Sequence, residues 1–191
     1  MNLFYLSESP QECAEFHCDR HVVKQITEQF QMLTSALLRH GANPDQLPKT
    51  KSGSSPKGGY PNHPVTKWHG DSYFNFMKGA EIGLALCKEY TKRYGKTHFC
   101  EAGIKFMQDN AKSLAPNFLS STPYGMTPYA VAINEACNCR KLPFFDKLHP
   151  IDQYRCYYIL DKAEIITYKF TQPPYWLNQD YVDWLGEEWP K

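Results

Sequence analysis

The chain has 191 residues and a formal net charge of +1. This length fits one domain with a substantial core, and the near-neutral charge excludes a protein that binds nucleic acid through bulk positive charge, so any nucleic-acid surface must be a local patch. No apolar run approaches the roughly 20 residues of a membrane span, and the N-terminus has no signal-peptide pattern. The seven cysteines are therefore expected to be reduced thiols of a cytoplasmic protein.

The N-terminal part of the chain predicts a short extended arm followed by a long helix. Residues 1–6 (MNLFYL) are an apolar lead, and residues 9–40 have helical composition with no interior Gly or Pro. Ser9 is a suitable N-cap, Pro10 suits the first helical position, and Glu12 is placed to complete a capping box.

The predicted helix has two distinct faces. Gly41 ends it, and a break near Asp19 would divide it into a short helix and a long one. The apolar face comprises Val22, Val23, Ile26, Phe30, Leu33 and Leu37. The opposite face comprises His17, His21, Lys24, Glu28, Gln31 and Ser35. Both sets follow from the helical spacing of about 100° per residue.

The polar face carries the residue types of acid–base chemistry. His17, His21, Lys24 and Glu28 align two imidazoles, an amine and a carboxylate, and histidine titrates near neutral pH. We predict that this face is the floor of an active site and that these four residues are catalytic. The alternative is the ordinary solvent-facing side of an amphipathic helix.

The rest of the chain predicts further helices separated by long connections. Residues 42–59 are expected to form a flexible loop rich in Lys, Gly and Ser. The next helices are predicted from Asp71 to about Tyr94, from about Thr97 to Leu114, and from Pro150 onward, with an irregular, lid-like segment at 115–150. The predicted fold is one mainly α domain of four principal helices with long irregular connections and an N-terminal extended arm.

Cationic and aromatic side chains recur together on these segments. Several positive groups that converge with aromatic rings are typical of a site for phosphate and base, which predicts DNA or a nucleotide as the partner. For cations at a helix C-terminus, the alternative is interaction with the helix dipole. The predicted substrate-binding or phosphate-binding residues are Asn62, His63, Trp68, Arg93, Lys96, His98, Arg155, Tyr158 and Lys162.

A metal site is the alternative use of the histidines. His17 and His21 flank Cys18 in the pattern His-Cys-x-x-His, and zinc or iron bound at the two histidines would suit these ligand types. The spacing matches no standard zinc motif, so no cofactor is predicted.

Three stretches resemble a family of small bacteriophage-type proteins. They are the opening MNLFYLSESPQECAEFHCDRHVVKQ, the NHPxxxW pattern of residues 62–68 and the EYxxRYGKxH pattern of residues 89–98. The resemblance continues into residues 143–158 and the closing PPYW, so it covers most of the chain. The family is itself similar to the phage pyrimidine dimer DNA glycosylase of the endonuclease V type, a small all-α repair enzyme. The resemblance implies an N-terminal amine nucleophile and a catalytic glutamate on the helix after the arm. If the protein is phage-encoded, it is expected in the cytoplasm of the infected host cell.

Glu28 takes the place of that glutamate in the resemblance. An amine would attack C1′ of the damaged nucleotide and form a Schiff base, while Lys24, Arg93 and Arg155 would bind phosphates around a flipped nucleotide. The glycosylase uses a Thr amine after Met removal, whereas Asn2 would leave Met1 in place. The nucleophile is therefore the amine of Met1, Lys24, or neither.

Two other functions remain open from the sequence. An enzyme acting on a free or modified nucleotide through the His/Glu site predicts a deep, closed pocket in place of an open groove. A non-catalytic phage accessory protein that binds nucleic acid or a host protein predicts that replacing His21 or Glu28 leaves function intact.

Overall fold

The computed structural model describes residues 2–188, and the regular secondary structure of these residues is helical, with no β-strand among them. The predicted mainly α class is confirmed. The α-helices are α1 (Pro10–Phe16), α2 (Asp19–Arg39), α3 (Pro64–Asp71), α4 (Tyr73–Tyr94), α5 (Glu101–Leu114), α6 (Pro150–Asp161) and α7 (Gln179–Glu188). None of these helices is long and apolar enough to cross a membrane.

The long first helix of the prediction is two helices. Ser9 Oγ accepts the Glu12 N–H at 3.4 Å, as predicted for an N-cap, but the Glu12 carboxylate accepts the Ser7 hydroxyl, so the capping box is not closed. The backbone is extended at His17 and Cys18, which separates α1 from α2 just before Asp19.

A buried arginine explains where the helix breaks. Arg93 of α4 donates to the carbonyl oxygens of Glu15 (2.9 Å) and His17 (2.8 Å), and its guanidinium pairs with Asp19 and Glu89. It thereby satisfies carbonyls that the end of α1 leaves without helical partners. The prediction that Arg93 binds phosphate is wrong, because its side chain is fully buried in these contacts.

Helix α2 is buried on both long faces. The predicted apolar face is buried at Val22, Ile26, Phe30, Leu33 and Leu37. Val23 is the one residue of the predicted apolar face that is not buried. It lies at the edge of this face and is 41% exposed. The polar face is also buried at His21, Glu28 and Ser35, so it is not an ordinary solvent-facing side. Helices α3, α4 and α5 pack against α2.

The remaining helix boundaries follow local capping. The predicted start at Asp71 is wrong, because α3 ends there and Ser72 caps α4 by accepting the Phe74 N–H at 3.1 Å. Gly95 ends α4 with φ +64°, and α6 begins at Pro150 as predicted. Helix α5 begins at Glu101, later than the predicted Thr97.

The N-terminal arm, residues 2–6, lies in the core and is fixed to α6. Leu3, Phe4, Tyr5 and Leu6 are buried, and the guanidinium of Arg155 donates to the Leu6 carbonyl oxygen at 2.9 and 3.1 Å. Arg155 therefore positions the arm.

The chain has a buried ion pair at Arg93 and an exposed ion pair at Arg39, with N–O distances of 2.8 and 2.7 Å. Removing the buried arginine should destabilise the fold much more than removing the exposed one. We expect Arg93→Ala to lower the free energy of unfolding by about 3–5 kcal/mol, because it removes the buried guanidinium from Asp19 and Glu89 and leaves the exposed Lys92 as the cation beside Glu89. Arg39→Ala removes a half-exposed pair with Asp71 at 2.7 Å and should cost less than about 1 kcal/mol. Urea denaturation measures both, and equal losses would contradict this role of Arg93.

Candidate active site

A cleft of about 550 Å³ lies where the N-terminal arm, α2 and α6 meet. Its floor is the polar face of α2, the face for which the sequence predicts an active site. The lining residues that bear polar or aromatic side chains are Asn2, Phe4, Arg20, His21, Lys24, Gln25, Glu28, Asn134, Tyr157 and Lys162.

Glu28 is held by the arm at the bottom of this cleft. Its side chain is 10% exposed, and its Oε2 accepts the backbone N–H of Asn2 at 2.8 Å. Lys24 Nζ lies 3.3 Å from Oε1, and Gln25 Nε2 lies 3.5 Å from Oε2. The carboxylate therefore sits among donors, one of which comes from the first described residue of the chain.

The side chain of Asn2 fixes the end of the arm. Its Nδ2 donates to the carbonyl oxygen of Ala132 at 2.9 Å, and its Oδ1 accepts the Tyr154 hydroxyl at 3.0 Å. With the bond to Glu28, three hydrogen bonds define the position of this residue. An amide side chain is suited to this position because it donates and accepts at once.

His21 is a neutral, oriented imidazole in the cleft wall. Burial lowers its pKa to about 3, and its Nδ1 lies 2.5 Å from the Tyr158 hydroxyl. Burial also raises the pKa of Tyr158 well above its ordinary value, so the hydroxyl keeps its proton, and we assign this hydroxyl as the donor to Nδ1. The proton of the neutral ring is then on Nε2, which leaves Nε2–H as the donor that His21 offers at the cleft.

His17 and Tyr158 lie behind the cleft. His17 is fully buried, burial lowers its pKa to about 4, and its Nδ1 lies 2.7 Å from the Cys13 carbonyl oxygen. Tyr158 is equally buried. Neither lines the cleft, so the structure brings Glu28, His21 and Lys24 together at the surface of the cleft and leaves His17 in the core.

Three cations surround the opening of the cleft. Arg20 and Lys24 are exposed, and Lys162 is half-buried with its Nζ 4.6 Å from the centre of the Tyr157 ring. Positive groups at an open rim attract an anionic polymer and are accessible to its phosphates. These three side chains form a local cluster of positive charge on a chain whose net charge is +1.

A second depression of about 660 Å³ shares Lys24 and Glu28 with the cleft. Its other lining residues include Gln31, Tyr60 and His98. Beyond it, a groove of about 340 Å³ lies beneath the loop of residues 42–59 and is lined by Lys51, Lys57 and Phe99 among others. These depressions follow one another along the exposed edge of α2.

His63 and His98 lie near this edge. His63 is half-buried at the N-cap of α3, where its Nδ1 accepts the Val65 N–H at 3.3 Å. Burial lowers the pKa of His63, while the charge of Glu28 opposes that change. Burial likewise lowers the pKa of His98, whose Nδ1 accepts the Cys100 N–H at 3.2 Å.

Several predicted substrate-binding residues lie elsewhere. Trp68 is 2% exposed, and its Nε1 donates to the Thr127 carbonyl oxygen at 3.2 Å, so its prediction as a substrate contact is wrong. Arg155 holds Leu6 in place. Asn62 lines a separate groove of about 430 Å³, and Lys96 is exposed at the end of α4.

The sequence interpretation missed Asn2, Arg20 and Gln25 as lining residues. Arg20 directly precedes His21, and Gln25 follows Lys24, so the helical spacing contained a signal for both. Asn2 gave no local signal, because its contacts are to residues at least 26 positions away.

The described part of the chain contains no group of three or more His, Cys, Asp or Glu residues that could hold a metal ion. His17 and His21 are the two histidines that the alternative interpretation assigns to a metal. Nδ1 of His17 contacts the Cys13 carbonyl oxygen and Nδ1 of His21 contacts the Tyr158 hydroxyl, so one nitrogen of each ring already has a hydrogen-bond partner. The seven cysteines are all free, and six of them are buried.

A family model described as pyrimidine dimer DNA glycosylase matches residues 1–102, which is more than half of the 191 residues. The chain belongs to the pyrimidine dimer DNA glycosylase family. No curated protein and no solved structure matches it significantly.

The part that matches the pyrimidine dimer DNA glycosylase family contains the arm and α1 to α4, and thus the floor of the cleft with Glu28. The wall opposite is formed by Asn134, Tyr157 and Lys162, which lie beyond the matched range. The family resemblance inferred from the sequence is confirmed.

The contact between His21 and Tyr158 predicts one tautomer over a wide pH range. In nitrogen-15 NMR of the imidazole ring, we expect a protonated Nε2 and an unprotonated Nδ1 with no titration above about pH 5, since burial keeps the ring neutral. Tyr158→Phe should remove the donor and shift the Nδ1 resonance. A proton on Nδ1 in the unchanged protein would contradict the assignment.

Proposed function

We propose that the protein is a DNA glycosylase with abasic-site lyase activity that acts on pyrimidine dimers in duplex DNA. The observation that carries the proposal is the hydrogen bond of 2.8 Å between the Asn2 backbone nitrogen and Glu28 Oε2 at the bottom of an open, cationic cleft. It brings the N-terminal end of the chain to a catalytic-type carboxylate. Family membership supports the same reaction.

The nucleophile in this proposal is the α-amine at the N-terminal end of the chain. An α-amine has an ordinary pKa of about 8, against about 10.4 for a lysine, so a larger fraction is neutral near pH 7. The amine nitrogen bonds to C1′, the glycosidic bond breaks, and the base leaves with the bonding electrons and takes up a proton. Loss of a proton from nitrogen and opening of the sugar ring then give a Schiff base, and removal of a C2′ proton expels the 3′ phosphate.

Glu28 is the proton-transfer group of this sequence. It accepts the backbone N–H of Asn2, and in this proposal it accepts a proton from the attacking amine and assists the ring opening. His21 offers Nε2–H to a sugar or phosphate oxygen. Arg20, Lys24 and Lys162 bind phosphates around the extrahelical nucleotide.

The open cleft favours a polymer over a free nucleotide. Arg20 and Lys24 are exposed, and the neighbouring depressions extend the surface along α2. A free-nucleotide enzyme would be expected to enclose its substrate, as ligand pockets generally do.

Cleavage of defined DNA tests the proposal. We expect the unchanged chain to cut a duplex that carries one thymine dimer, and Glu28→Gln to cut it at least about 100-fold more slowly in single turnover, because the carboxylate is lost as a proton acceptor. Glu164→Gln, an exposed control in the described chain, should leave the rate unchanged.

A second pair of variants separates charge from chemistry. Lys24→Ala should weaken DNA binding but retain cleavage at saturating enzyme, and Lys105→Ala should change neither. Lys105 is a matched control for Lys24. The two side chains are 63% and 64% exposed, and each pairs with a carboxylate four residues further on, Asp109 for Lys105 and Glu28 for Lys24. Full activity of Glu28→Gln, or no cleavage by the unchanged chain, would contradict the proposed function.

A further inference from the structure

Tyr60 lies beside the cleft in an unusual backbone conformation. Its φ is +46°, and within residues 2–188 it is the single residue other than glycine with a positive φ. Its side chain is 69% exposed. A bulky side chain in the left-handed region is strained, and such strain persists where the surrounding structure enforces it, often at functional sites.

The backbone on both sides of Tyr60 is fixed to helices. On one side, Ser35 of α2 holds Gly59: its hydroxyl oxygen accepts the Gly59 N–H at 2.8 Å and lies 3.2 Å from the Gly59 carbonyl oxygen. On the other side, the His63 N–H donates to the Tyr60 carbonyl oxygen at 2.9 Å, and His63 caps α3. The ring is therefore presented from a defined position.

Gly58 shows how closely this turn approaches α2. Its φ is +71°, and a Cβ at this position would collide with the Ser35 hydroxyl oxygen. The approach fixes the start of the turn, so the exposed tyrosine cannot be attributed to a loose loop.

The ring lies next to the reacting group of the proposed function. Tyr60 lines the depression of about 660 Å³ that also contains Glu28, Lys24 and His98. A single exposed tyrosine is ordinary on a protein surface. The combination of enforced strain, a fixed backbone and a position beside Glu28 needs a further explanation.

We propose that Tyr60 is the stacking residue that holds the DNA open beside the extrahelical nucleotide. Its ring packs against the face of the neighbouring base and replaces part of the stacking that is lost when the nucleotide leaves the helix. The cations of the cleft bind the flanking phosphates at the same time. This inference rests on the proposed function and adds the residue that meets the bases.

A stacking role for Tyr60 predicts a larger effect on duplex DNA, in which base stacking must be broken, than on a single strand. In single turnover, we expect Tyr60→Ala to cut a dimer-containing duplex at least about tenfold more slowly, since the stack of one base on an aromatic ring contributes about 1–3 kcal/mol. On a single-stranded oligonucleotide with a preformed abasic site, the same variant should stay within about twofold of the unchanged chain. Tyr60→Phe should retain both rates, because the ring is kept.

Two further variants separate the ring from the backbone and from general exposure. Tyr60→Gly relieves the positive φ, so it should raise the melting temperature and still cut the duplex as slowly as Tyr60→Ala. Tyr175→Ala removes a ring that is 73% exposed outside the cleft, and it should cut normally.

The outcomes distinguish this inference from the proposed function. If the unchanged chain cuts the duplex and Tyr60→Ala matches it within about twofold, the stacking role is overturned and the glycosylase proposal stands. An equal loss on both substrates would also overturn stacking, because it would place Tyr60 at the chemical step. If the unchanged chain cuts neither substrate, both proposals are overturned.

Discussion

The site depends on the buried guanidinium of Arg93. It joins Asp19 and Glu89, which carry the opposite charge, to the carbonyl oxygens at the end of α1. This set of contacts ends one helix and begins the next. The Asp19 carboxylate also accepts the Lys169 N–H at 2.7 Å, so the same cluster secures the chain after α6.

The cluster fixes where α2 begins, because Asp19 is the first residue of this helix. Helix α2 supplies the floor of the cleft. From Asp19 onward, helical periodicity places His21, Lys24 and Glu28 on one face. The N-terminal arm returns along this face and ends with Asn2 at Glu28, while Arg155 holds Leu6 against α6. Asn2 of the arm thus contacts the carboxylate, and α6 in turn holds the arm at Leu6.

Burial distinguishes the histidines of this region from the cations at the rim of the cleft. His17 and His21 lie in or against the core with lowered pKa values and act as neutral hydrogen-bonding groups. Arg20 and Lys24 remain in solvent, where charge has little desolvation cost. The sequence predicts a histidine that titrates near pH 7. In the structure His21 is neutral at that pH, and we assign it a single tautomer.

Local sequence signals gave the helical class, the N-cap at Ser9, the end of α4 at Gly95 and the polar face with Glu28. These features depend on residues within one or two helical turns. The burial of Trp68 and Arg93, the contacts of Asn2 and the backbone of Tyr60 depend on distant packing. A pattern of cations and aromatics cannot distinguish a buried ion cluster from an exposed phosphate site, because both use the same residue types.

The proposed function requires that the N-terminal α-amine forms the bond to DNA, with Glu28 as the proton acceptor. Borohydride reduction during reaction with a duplex carrying a thymine dimer, followed by mass spectrometry of the peptides, tests this most directly. We expect one adduct, on the α-amine of the N-terminal peptide, and we expect Glu28→Gln to abolish it. An adduct on Lys24, or no adduct while the DNA is cut, would contradict the proposal.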